Sequence, residues 1–277
     1  MDIFQYHFMQ NAILAGLLGG ITCSLVGVFV VTMHLSFIGV CIAHAAFAGA
    51  LLGLWLGFNP LIGALLFSLA AAAIVGPVAD RGELNPDTSI GIIFSLMLGL
   101  AFLFMGLMSG ARTEALNLFW GSILTVGRQD IIFLAATTGV TVGLVAVFYK
   151  EIQAVICHRE VALAVGIPAT VIFYGLLFST GVTITASLQT IGGLLIYCLI
   201  LNPAAAAYQL TYSLKKMLLI AAAFGVISCW AGLVASYLFD IPSGASIVIT
   251  SSVIFGLATA FSPKRKVKRW QQAPLTG

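Results

Sequence analysis

Apolar residues in this chain come in unbroken blocks of about 20, separated by short polar interruptions, with neither the period-2 alternation of half-buried strands nor the one-sided stripes of soluble helices. A hydrocarbon layer about 30 Å thick takes roughly 20 apolar residues as a helix, whereas barrel strands would alternate. The blocks predict spans at about residues 11–33, 35–57, 61–79, 88–108, 130–149, 170–187, 189–209, 215–238 and 246–262, about nine segments, with eight or ten also compatible. The stretch RTEALNLFWGSILTVGR, from Arg112 to Arg128, is too short and too mixed for a span and reads as an interfacial or re-entrant helix. The expected fold is all-α, a polytopic transmembrane helical bundle of about eight to nine spans. Without a repeat of about 20 to 50 residues or a long linker, one transmembrane domain covers residues 1–263, followed by a basic tail over 264–277.

Composition strengthens this reading. The 277 residues are 61% hydrophobic and 8% charged, and mean hydropathy is +1.11, far from a soluble domain. The formal charge of +3 comes mostly from the C-terminal SPKRKVKRW, and no basic stripe interleaved with aromatics points to nucleic acid. The N-terminal MDIFQYHFMQ lacks a basic n-region, so the first span is expected to be retained rather than cleaved. If the tail is cytoplasmic, alternation places Arg81, Lys150, Arg159, Lys215 and Lys216 on the same side and leaves Arg112 and Arg128 outside. The tail then reads as an anchor at an anionic leaflet. Five cysteines without a CxxC pair, four of them in apolar runs, argue against a disulfide framework.

The chain has no phosphate loop of the form GxxxxGK(S/T), no HExxH and no GxSxG, so it is expected to be no enzyme and to hold no permanent cofactor. Its nine carboxylates all fall at or outside span ends. The longest inward connection, KEIQAVICHREVALAVGIPA at 150–169, predicts a short amphipathic helix from His158 to Val165, with His158, Arg159 and Glu160 near its start and Gly166 and Pro168 ending it. It reads as a tight polar connection or as a docking site for a separate motor subunit.

Three intramembrane polar positions are candidates for chemistry. His44, in SFIGVCIAHAAFAG at 36–49, lies about ten residues past the Met33-His34-Leu35 turn, or about 15 Å into the bilayer. It reads either as a neutral imidazole bonded to a neighbouring helix's carbonyl or as a ligand on a transport path. Cys41, about 60° away around the helix, is a possible soft ligand favouring zinc over manganese. It also belongs to a small-residue stripe with Ala45, Gly49, Gly53 and Gly57, and packing is its favoured reading. Asn202, before Pro203, is a polar ligand or gate, or, as the favoured alternative, satisfies the proline kink.

Together, several motifs resemble the permease family of zinc, manganese and iron ABC importers. SFIGVCIAHAAFAG resembles the family pattern S-F-x-G-D-x-x-x-H-A; NPDTSIGIIFS at 85–95 resembles D-T-x-I-G; and LFWGSIL at 118–124 resembles L-F-G-x-I-L. REVALAVGIP at 159–168 is similar to the family's coupling helix, LLIYCLILNPAAAA at 194–207 to its L-L-x-x-x-L-L-x-x-P-A-A-x-A span, and DIPSGASIVI at 240–249 to its D-x-P-T/S-G-x-x-I-V element. The resemblance runs in order from about residue 11 to 263. It implies two permease copies, two cytoplasmic ATPases, an extracytoplasmic metal-binding protein and a divalent metal ion as substrate, in a prokaryotic plasma membrane. It implies that residues 158–168 enter a cleft of the ATPase, with Glu160, Ala164 and Gly166 at the matching positions. It implies that His44 is the histidine of the family's Asp-His metal pair, with Val40 standing where the Asp would be. A diverged permease passing a metal chelate or another solute, and a motor-independent secondary transporter or channel, are the competing readings.

Overall fold

The computed structural model describes residues 7–81, 86–108 and 123–264. Its helices are α1 (His7–Thr32), α2 (Ser36–Leu56), α3 (Pro60–Arg81), α4 (Pro86–Leu107), α5 (Arg128–Val147), α6 (Tyr149–Cys157), α7 (Arg159–Ala164), α8 (Ala169–Ile191), α9 (Gly193–Leu210), α10 (Leu214–Phe239) and α11 (Ser243–Ala260), with a 3-10 turn at Ile123–Thr125. No strand occurs among the described residues. Of the segment from Arg112 to Arg128, residues 112–122 lie outside those described, as does the tail beyond Lys264.

Eight helices are long and apolar enough to cross a membrane, and α9 supplies a ninth, shorter apolar stretch, Leu195–Leu210. α9 packs against α1, α2, α8, α10 and α11, so protein rather than lipid satisfies most of its surface. α1 is the other central element, against α5, α8, α9 and α10, while α2 packs on α3, α4, α8 and α9. The outer helices α4 and α5 expose large apolar side chains such as Ile92, Leu96, Phe102, Ile132 and Val140, as lipid or a second copy of the bundle requires.

Small residues let the central helices approach closely. A Cβ on Gly49 of α2 would collide with the Gly63 carbonyl of α3, and one on Gly27 of α1 with the Ile200 carbonyl of α9. Interhelical hydroxyl bonds add to the packing: Thr22 and Thr138 approach to 2.6 Å between α1 and α5, and Ser68 and Thr185 to 2.9 Å between α3 and α8. Bonds of this kind average about 0.6 kcal/mol in a membrane bundle.

Two boundaries differ from the sequence reading. The break expected near residue 188 falls at Gly192, whose φ of 93° is open to glycine and strained for other residues; up to it, α8 continues, with the Gly192 N–H closing on Leu188 O. The inward connection also holds one more helix than expected. α6 buries Ile152 and Val155, and with Tyr149 and Ile156 packed against the core these recur at the i, i+3, i+6, i+7 spacing of an amphipathic face.

Several connections gather at one end of the bundle. Met33, in the α1–α2 turn, packs against a small cluster made by Val155 of α6, Ala162 of α7 and Ala169 of α8. Lys264 sits 3.8 Å over the Tyr208 ring and 4.5 Å over Tyr212, which places the start of the tail beside the α9–α10 turn and its Lys215 and Lys216. Partial burial there holds the Lys264 pKa below the usual lysine value. Lysines and arginines gather at this end, the distribution that the positive-inside rule associates with a cytoplasmic face.

Candidate transit site and coupling surface

α2 is largely buried; in its first half Phe37, Val40 and His44, at i, i+3 and i+7, form an open face, and Trp55 and Leu56 are exposed at its far end. Phe37 is 50% exposed; Val40 and His44 are half-buried. His44 Nδ1 lies 3.0 Å from Val40 O, one turn back on the same helix, and the ring meets Phe94 of α4 edge-on at 4.9 Å between centroids. A carbonyl only accepts, so Nδ1 must carry the hydrogen and donate it. In the neutral ring the Nε2 lone pair is then free, the arrangement by which a backbone carbonyl prepares histidine as a ligand. The imidazole uses its own helix for this bond rather than a neighbour's.

Cys41 points elsewhere. It is fully buried, as is Ala45, and both belong to the main apolar core. The stripe they begin continues through Gly49 on Gly63 and Gly53 on Asn59 and Pro60, and ends at Gly57, a left-handed C-cap donating to Gly53 O. Among the described residues no group of three or more His, Cys, Asp or Glu side chains is placed to hold a metal ion.

Asn202 is half-buried on α9. Its Nδ2 donates to Ser251 Oγ at 3.0 Å and to Ser252 Oγ at 3.1 Å, both on α11, rather than to a carbonyl freed by Pro203. The structure separates Asn202 from His44. Gly39 of α2 faces Tyr197 and Ile200 of α9; from that crossing the antiparallel helices carry His44 about 7.5 Å outward and Asn202 about 3 Å inward, roughly 10 Å apart along the bundle axis.

The short helix α7 turns most of its side chains away from the bundle. In α7, Ala162 is buried, whereas Val161, Leu163 and Val165 are 59%, 48% and 74% exposed and His158, Glu160, Ala164 and Gly166 are also exposed. The Arg159 guanidinium lies 4.8 Å from the Phe173 ring of α8, which pins the helix start to the bundle. The end is closed by a Schellman pair, Gly166 N–H to Leu163 O at 3.1 Å and Ile167 N–H to Ala162 O at 2.9 Å. The sequence placed a short helix here, while the packing of Met33 beneath it was visible only in three dimensions.

Comparison with known proteins agrees with this architecture. The family model described as ABC 3 transport family matches residues 5–262. The manganese transport system membrane protein MntC of Listeria monocytogenes is 32% identical over 95% of this chain and 94% of its own length. That of Halalkalibacterium halodurans is 34% identical over 96% and 91%. The solved structure of PsaBC from Streptococcus pneumoniae in complex with Fab superposes with a TM-score of 0.86 at 29% identity, covering 98% of this chain and 97% of that one. An inward-facing, putative metal-chelate type ABC transporter superposes at 0.73 and 15% identity over 91% and 85%, a likeness of fold alone. A bundle of membrane-crossing helices without an ATP motif, matched by the family model over nearly its whole length, belongs to the ABC 3 transport family: the chain is a multi-pass transport permease of the metal-importer type in a prokaryotic plasma membrane, not an enzyme.

Proposed function

We propose that this permease carries bare divalent transition-metal ions inward, manganese foremost and zinc or iron as congeners, in a complex with two cytoplasmic ATPases, a second permease copy and an extracytoplasmic metal-binding protein. Residues 1–263 form the one permease domain and 264–277 a basic cytoplasmic tail. The observation that carries the reading is His44: a half-buried imidazole on an open face of α2, its Nδ1 engaged on Val40 O and its Nε2 without a partner among the described residues. The relatives named for manganese support the choice of cargo.

The ion is substrate, and the chain's task is to hold it briefly. A single imidazole without the carboxylate that the family places at position 40 binds weakly, and weak ligation suits a site that must release its ion to the next station. Drive reaches the site along a short contact path. Closure of the ATPases presses on the exposed face of α7; the cluster of Val155, Ala162 and Ala169, to which α7 contributes, bears on Met33; and Met33 belongs to the turn that starts α2. Movement of that turn shifts the Phe37, Val40 and His44 face, exposing the imidazole to one side of the membrane and then to the other. Arg159, His158, Glu160, Ala164 and Gly166 shape the docking surface. Cys41 stays in the core as packing.

Metal-stimulated ATPase activity and uptake by the assembled transporter, compared across manganese, zinc, iron and an iron chelate, test the proposal. His44→Ala is expected to remove metal-dependent uptake while the ATPase still co-purifies. Normal uptake by that variant, or full-rate transport by the purified chain without an ATPase, overturns it. Preference for the chelate over every bare ion would replace it with the diverged-permease reading that Val40 favours.

A further inference from the structure

The Asn202 amide is locked in one orientation by α11. Its Nδ2 has two hydrogens, donated to Ser251 Oγ at 3.0 Å and Ser252 Oγ at 3.1 Å. Each serine hydroxyl has one hydrogen, and both are engaged on the same acceptor, Val248 O, at 2.8 Å each. A hydroxyl committed in this way meets Asn202 only as an acceptor. Turning the amide over would force both hydroxyls to leave Val248 O and donate to Oδ1 instead, two bonds in place of four, so the bond count favours the nitrogen on the serine side. Oδ1 then lies on the free limb of the amide. It takes no hydrogen bond among the described residues and is not one of the sealed, unpartnered polar atoms of the core.

We infer that Ser251 and Ser252 are positioning residues that turn the Asn202 carbonyl oxygen toward the transported cation, making a second, neutral oxygen station cytoplasmic of His44. The inference rests on the metal-import reading above and adds the ligand chemistry of the inward half of the path. An amide oxygen is a hard, uncharged ligand suited to manganese and other oxygen-seeking ions. It attracts the ion through its dipole without the depth of a carboxylate trap. An amide free to turn would present its N–H groups for part of the time and repel the ion. Because the two stations are about 10 Å apart along the axis, an ion leaves nitrogen ligation at His44 before it meets oxygen at Asn202.

The test uses the assembled transporter in proteoliposomes with manganese chloride, and zinc chloride in parallel, and reads KM and kcat of uptake separately. Replacing both serines (Ser251→Ala with Ser252→Ala) is expected to raise KM for manganese about tenfold, the scale of losing one well-oriented polar contact to a charge, with kcat little changed. Threonine at both positions keeps the hydroxyls and is expected to restore KM. In an Asn202→Asp background either carboxylate oxygen can face the ion, so the same serine removal is expected to move KM by less than about twofold. KM unchanged by serine removal, or changed equally in both backgrounds, overturns the inference. If the double variant does not assemble, Ser252→Ala alone, at an exposed residue, decides between a rise of about threefold and none. A parent complex that moves neither manganese nor zinc would instead overturn the proposed function, a failure visible before any serine is changed.

Discussion

Gly166→Ala isolates how the coupling helix is held. Gly166 has φ +88°, and a Cβ added there meets nothing within 4 Å. The substitution therefore creates no clash and removes no packing, leaving only the backbone term, about 1–2 kcal/mol for an L-residue forced into left-handed space. The whole of this cost falls on a short element: α7 spans six residues and buries Ala162, and its C-terminus depends on the Gly166-to-Leu163 and Ile167-to-Ala162 bonds. About 1.4 kcal/mol is a tenfold change in an opening equilibrium. Hydrogen exchange on the assembled transporter should show the Ile167 amide exchanging about tenfold faster in Gly166→Ala. Gly166→Asn should show a smaller increase, because asparagine enters this region more readily. Retention of the ATPase through purification should fall in the same order. Unchanged exchange at Ile167 in the alanine variant would refute the argument that the left-handed cap holds α7 in place.

Two further outcomes test the bundle itself. Val40→Asp puts a carboxylate one turn before His44 on the open face of α2 and is expected to tighten manganese retention by the permease at least about tenfold while slowing release, so KM and kcat fall together; unchanged retention in equilibrium dialysis would show that position 40 does not face the ion. Gly49→Ala drives a methyl into the Gly63 carbonyl and to 2.7 Å from Phe67 Cβ and is expected to cost about 1–3 kcal/mol, read as a lowered thermal midpoint of the detergent-solubilised protein; a midpoint equal to the parent's would contradict the close α2–α3 crossing.

Much of the fold was legible in one dimension because a bilayer imposes a one-dimensional rule. Apolar runs long enough to span must be helices, and the expected spans correspond one by one to α1–α5 and α8–α11, with the α8–α9 boundary displaced to Gly192. The short helix expected from His158 to Val165 is α7, with Gly166 capping it as its left-handed φ requires. α6 was missed because its apolar positions continue the hydrophobicity of α5 and look like the tail of a span. Its amphipathic spacing was present in the sequence, but composition masked it.

The site was legible in its parts and not in its assembly. Sequence determined that His44 lies deep in an apolar helix, that no carboxylate stands at position 40, and that no motor is encoded in this chain, because residue identity and helical rise alone settle those points. Tertiary structure decided what each polar atom does there. It buried Cys41 in the apolar core, tied the His44 Nδ1 to Val40 O and left Nε2 without a partner among the described residues, and gave Asn202 to Ser251 and Ser252 instead of to the kink beside it. Residues 49 and 50 positions from Asn202 fix its amide, and helix periodicity carries no information about partners so far along the chain. A membrane fixes which segments are helices; only the crossing of those helices fixes which of their few polar atoms remain free for an ion.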